Sequence, residues 1–183
     1  MMATSSAQPD TSTDRSEFRH ILLSGTKVGV VTALAVVAVL LISRVLPPGV
    51  IRAAVQMLVV LAGAAAAAFL PAAWAVARGT QGIASAAAIG LWGTVVFMAI
   101  DIVLLRPVHA YPWTWDAVGG GSTWWYLPVW WMLGTFLAWM GAIVTAGRAA
   151  RGGDTGIVPL AWPVLAGAGG VAIGLALAGL AIL

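Results

Sequence analysis

Few side chains in this sequence could do chemistry in an apolar setting, and their spacing limits what that chemistry is. Asp101 is the one acid deep inside an apolar run, separated from Arg106 by Ile-Val-Leu-Leu. A carboxylate at the centre of a membrane helix costs roughly 2.5–3.5 kcal/mol on insertion scales. Asp101 must therefore be protonated, paired, or turned to a polar cavity, and Arg106, Arg44 and Arg52 are the candidate partners. It could serve as a proton or cation site, or as half of an ion pair that fixes helix ends. The ion pair is the more economical reading, because transporters usually carry more than one intramembrane ionisable group. Gln56 is the only other strongly polar side chain within an apolar run, and a single amide there is expected to bridge two helices.

His109 invites a cofactor assignment. A bis-His haem needs two imidazoles at one depth, and the only other histidine, His20, is expected at the opposite membrane surface. A single His109 could ligate a haem or chlorophyll-type magnesium, or a metal together with Asp116 and an external ligand. An interfacial hydrogen bond is its ordinary alternative, and no cofactor follows from the pattern. A catalytic site would need His109, Asp116 and Arg106 to converge at the outer face. No HExxH-like motif, phosphate-binding glycine loop or Ser-His-Asp order can be assembled. Gly119-Gly120-Gly121-Ser122 is a hinge by composition, with no preceding strand and no following Lys or Arg.

Six of the ten tryptophans fall between Trp113 and Trp131, namely Trp113, Trp115, Trp124, Trp125, Trp130 and Trp131. Trp joins an apolar ring to one N–H donor and prefers the depth of lipid headgroups. An aromatic belt accounts for part of this cluster. Its density adds either contact with a neighbouring protein or stacking on a pigment, quinone or lipid.

The elements that must position these residues are membrane spans. Only 8% of the 183 residues are charged and 61% are hydrophobic, with a mean hydropathy of +0.99. A soluble domain carries about 25% charged residues, so this chain lacks the means to cover a water-facing surface. The nine Lys and Arg are dispersed, which gives no footprint for nucleic acid. Cysteine is absent, which excludes disulfides and thiolate-held metals.

Residues 1–20 are polar and read as a disordered N-terminal tail. Residues 21–183 read as an all-α polytopic membrane domain of about five transmembrane helices, four if the last is re-entrant. The expected spans are 21–42, 53–76, 83–105, 124–146 and 157–183. Each is long enough to cross about 30 Å of hydrocarbon, and helices satisfy their own backbone groups there. The last carries Pro159 and Pro163, hence the alternative. A Trp-rich outer loop occupies 106–123. Six basic residues (Arg15, Arg19, Lys27, Arg78, Arg148, Arg151) face three (Arg44, Arg52, Arg106). The positive-inside rule then puts the N-terminus in the cytoplasm and the C-terminus at the outer face.

Small residues at helical spacing suggest where backbones approach closely. The stripes are Gly25-Gly29-Ala33, Gly134-Ala138-Gly141-Thr145 and Ala166-Gly170-Gly174-Ala178. The expected function is a non-catalytic accessory subunit of a larger, bioenergetic-type complex in a bacterial cytoplasmic membrane. It would dock to other membrane subunits or to itself through Gly170 and Gly174 and through the outer tryptophans. A small transporter or channel using Asp101, and a membrane enzyme using His109, Asp116 and Arg106, are the alternatives.

Overall fold

The computed structural model describes residues 11–107 and 126–153, with side chains described over 16–107 and 132–153. Every regular element among them is a helix. Helix α1 spans Thr11–Val45, α2 Val50–Trp74, α3 Gly79–Ile100 and α4 Tyr126–Ala150. A π-helical turn, Asp101–Leu105, extends α3. Four stretches, Ser16–Val45, Val50–Trp74, Gly79–Leu105 and Met132–Ala150, are long and apolar enough to span a bilayer. Found among the described residues, they overlap the first four expected spans, with limits that differ by up to eight residues. The fifth, 157–183, lies outside the described residues, as do residues 1–10.

Helix α1 begins at Thr11, within the segment expected as a polar tail. Nucleation is the costly step of helix formation, and here the apolar span supplies the nucleus. Propagation backwards is then cheap.

The chain breaks where its turn chemistry demands. Pro47 and Pro48, which lack an N–H, separate α1 from α2. Gly79 opens α3 at φ +66° and Gly152 closes α4 at φ +69°. The second ending is a Schellman motif: Gly153 N–H donates to the Arg148 carbonyl at 2.9 Å and Gly152 N–H to that of Ala149 at 3.0 Å.

The four helices stand at the corners of a bundle. Helix α3 packs on α1 and α4, and α2 packs on the same two from the other side; α2 and α3 also touch across the middle. We call the end where α1 begins proximal and the end where it finishes distal. Helix α3 is the most buried of the four, and its buried positions include Gly82, Ala86, Ile89, Gly90, Gly93, Thr94 and Phe97.

Backbone proximity explains the glycines. A Cβ on Gly25 would lie 2.8 Å from the Ile89 carbonyl oxygen, and one on Gly29 would lie 2.6 Å from that of Gly93. On the other flank of α3, Gly90 faces Ala138 and Gly134 faces Thr94, while Gly141 meets the Ala68 carbonyl of α2. Two of the three small-residue stripes are thus contacts within this chain. Lipid is as apolar as Leu, so such close packing replaces the hydrophobic effect as the force that joins helices. The third stripe, with Gly170 and Gly174, lies outside the described residues. Large apolar side chains, Leu34, Leu41, Ile51 and Phe136 among them, point outward, as a hydrocarbon solvent permits.

Candidate functional site

The distal end of α3 holds the buried acid. Asp101 has no exposed surface, and its Oδ2 accepts from Arg106 Nε at 3.1 Å. Five residues make about 1.4 turns of an α-helix, so side chains at that spacing diverge. The π turn removes the mismatch by closing the backbone from i to i+5: Arg106 N–H donates to the Asp101 carbonyl at 2.9 Å. One local widening therefore makes both the backbone bond and the ion pair between the same two residues. Pro107 follows and has no N–H with which to continue the ladder. Of the three arginines expected as partners, Arg106 takes the role. Its side chain keeps 22% exposure, although its Nη2 is buried, so the charge is partly inside with the carboxylate.

Gln56 belongs to a different contact. Its Nε2 donates to Ser43 Oγ at 2.6 Å and to the Val39 carbonyl at 3.2 Å. Ser43 Oγ donates in turn to Val39 at 3.0 Å, and Arg52 reaches the Ser43 carbonyl at 3.4 Å. The amide is an interhelical bridge from α2 to α1. Gln56 and Asp101 thus sit in two separate polar contacts, each of which ties helix to helix or turn to turn.

The proximal end carries a third contact, centred on His20. Its Nε2–H donates to the Trp74 carbonyl at 2.6 Å, with the buried Ser24 Oγ at 3.3 Å from the same nitrogen. Trp74 is the last residue of α2, where carbonyls have no intrahelical donor. His20 supplies that donor from α1. Lys27 Nζ lies 5.7 Å from the centre of the Trp74 ring, within cation–π range, and cationic groups suit the negative end of a helix. On the α3 side, Trp92 Nε1–H donates to Thr26 Oγ1 at 3.2 Å. Three further hydroxyls fold back on their own helices: Thr32 donates to Val28, Thr94 to Gly90 and Thr145 to Gly141. This is the usual resolution for Ser and Thr inside a span.

Sequence reasoning placed His20 only as a surface residue and missed its capping role. The available signal was positional: across a short connection, residues equally far from it lie level, and His20 is about as far before the end of α1 as Trp74 is after the start of α2. His109, Trp113, Trp115, Asp116, Trp124 and Trp125 lie outside the described residues. Trp130 and Trp131 fall on α4, but their side chains are not described. A convergence of His109, Asp116 and Arg106 therefore has one described member, and that member is paired with Asp101. Among the described residues, no three His, Asp or Glu side chains group to hold a metal ion.

No protein-family profile, curated protein or solved structure matches the chain. Its function must be argued from its own geometry.

Proposed function

We propose that this chain is a non-catalytic structural subunit of a larger membrane assembly, set in a bacterial cytoplasmic membrane with its N-terminus inside. The observation that carries the reading is where the polar side chains are spent. Asp101 pairs with Arg106, Gln56 joins α2 to α1, and His20 caps α2 from α1. The last two contacts tie α1 to α2 and the first closes the end of α3 on itself, whereas a transport path would need such groups turned toward a shared cavity. With the stripes of α1 and α4 already used inside the bundle, docking falls to the Trp-rich loop and the lipid-facing surfaces. Contact of that loop with a pigment, quinone or lipid is part of the proposal.

The test is gentle extraction from the native membrane, mass determination of the intact particle, and its absorption spectrum. A particle containing other chains is expected, and a visible absorption band would assign a pigment to the neighbourhood of the loop. A colourless particle of one to three copies of this chain would overturn the reading.

One observation favours a second reading. π turns recur at functional sites, and here the turn begins at the one buried acid among the described residues. If Asp101 carries a proton or cation, Asp101→Asn abolishes coupled flux in proteoliposomes while the protein still folds; unchanged flux removes this alternative.

A further inference from the structure

The outward face of α4 differs from the other lipid-facing surfaces. Met132, Phe136, Trp139, Met140 and Ile143 are all exposed there, and the Phe136 and Trp139 rings lie 6.2 Å apart at a tilt of 55°. Helix α4 is the least apolar of the four spans, yet no more buried than α1. Trp139 is nine residues from Arg148, or about 13 Å along the helix. If Arg148 marks the interface, the indole sits near the middle of a hydrocarbon core about 30 Å thick. Trp prefers the headgroup level, so an exposed indole at that depth is out of place against lipid and calls for a protein neighbour.

The chain itself supplies one. Gly152 ends α4 in the left-handed conformation, and only Asp154, Thr155 and Gly156 separate Gly153 from the apolar stretch 157–183. Four peptide steps reach about 14 Å at most, against about 8–10 Å between packed helix axes. The connection is therefore long enough to bring the following stretch back beside α4. Helix α4 is covered by α2 and α3 on two sides, and the arc left open includes the side that bears Trp139.

We propose that the outward face of α4 seats the chain's own C-terminal stretch, residues 157–183, running back antiparallel along it. Pairing Ala150 with Ile157 and counting away from the turn sets residues whose numbers sum to 307 side by side. Trp139 then falls opposite Ala168, within Gly167-Ala168-Gly169-Gly170. Phe136 falls opposite Val171, and Ile143 opposite Val164. The bulkiest side chain of the face thus meets the stretch with the smallest ones, the complementarity by which helices in lipid gain contact. The inference does not depend on the subunit reading, since it concerns one chain only.

The chain has no cysteine, so introduced thiols report without background. The pairs Phe136→Cys/Val171→Cys and Ile143→Cys/Val164→Cys are made in the full chain and treated in native membranes with a short bismaleimide. The control pair is Leu34→Cys/Val171→Cys, because Leu34 is equally outward on α1. Intramolecular cross-linking of the two α4 pairs is expected at about tenfold the yield of the control, as for thiols held together rather than meeting by diffusion. Phe136 and Ile143 are exposed, so the substitutions leave the bundle interior unchanged. Equal yields, or no cross-link while both thiols react in detergent, would overturn the proposal. A dimer formed by Phe136→Cys alone would do the same, by showing a second copy on that face.

Discussion

Helix propensity and helix packing make opposite predictions for Gly29→Ala, and the structure says which wins. By propensity alone, Ala in place of Gly within a helix gains about 0.8–1.0 kcal/mol. The new Cβ, however, would lie 2.6 Å from the Gly93 carbonyl oxygen and 2.7 Å from Val96 Cβ. Carbon atoms pack at about 3.5–4.0 Å, so α1 and α3 must separate by roughly 1 Å. A gap of that size forfeits a quarter to a half of each dispersion contact it opens. The Gly93 oxygen is backbone and has no rotamer by which to withdraw. Overpacking of this kind costs about 1–3 kcal/mol, leaving a net loss near 1 kcal/mol after the propensity gain. Gly147 is the internal control, since among the described residues nothing lies within 4 Å of its would-be Cβ; against those residues Ala keeps the gain alone. The two substitutions should differ by about 2 kcal/mol and in sign. Unfolding by SDS titration in mixed micelles measures both. If Gly29→Ala proved as stable as Gly147→Ala, the close approach of α1 and α3 would be wrong. Adding Gly25→Ala to Gly29→Ala should cost less than the sum of the two, because one displacement relieves both clashes.

Asp101→Asn leaves Arg106 facing a neutral amide and should cost about 3 kcal/mol in the same titration, the low end for a broken buried pair, since Arg106 keeps partial exposure. Converting both residues, Asp101→Asn with Arg106→Gln, should recover part of that loss; no recovery would mean the two do not act as a pair. Gln56→Leu removes two bonds to α1 and should cost about 1 kcal/mol, within the range for hydrogen bonds between membrane helices. A double-mutant cycle with Ser43→Ala should show coupling, and simple additivity would contradict the bridge. His20→Phe frees the Trp74 carbonyl and should cost about 1 kcal/mol, seen as faster hydrogen exchange across Ala75–Arg78; unchanged exchange would remove the cap.

Much of the fold was legible because hydropathy in a membrane chain reports directly on span length. Expected limits at 53–76 and 83–105 stand beside Val50–Trp74 and Gly79–Leu105. The glycine stripes of α1 and α4 were readable as contact surfaces because close approach needs small residues, although spacing alone left open whether the partner was in the same chain. The pairing of Asp101 was not readable. Helical spacing puts i and i+5 on different faces, so Arg106 had no advantage over Arg44 or Arg52 until the π turn brought it round. Nor was the helical stretch from Thr11 to His20, because local composition there is that of a tail and the helix is imposed by the span that follows it.

These contacts divide the bundle into two kinds of joint. Helices α1 and α2 are tied by hydrogen bonds near both ends, His20 to Trp74 at one and Gln56 to Ser43 at the other. Between them the approach is looser: a Cβ on Gly63 would lie 3.1 Å from the Ala35 methyl. Helix α3 is held to α1 and α4 chiefly by backbone contact at Gly25, Gly29, Gly90, Gly93 and Gly134. Directional bonds fix register and tolerate small separations, while dispersion falls steeply with any gap. The two joints should therefore fail differently. An added methyl on a glycine loosens α3 and leaves α1 and α2 paired; a lost polar group at His20 or Gln56 frees α2 and leaves α3 in its groove. A structural subunit of the kind proposed would gain from that arrangement, because no single substitution releases both joints.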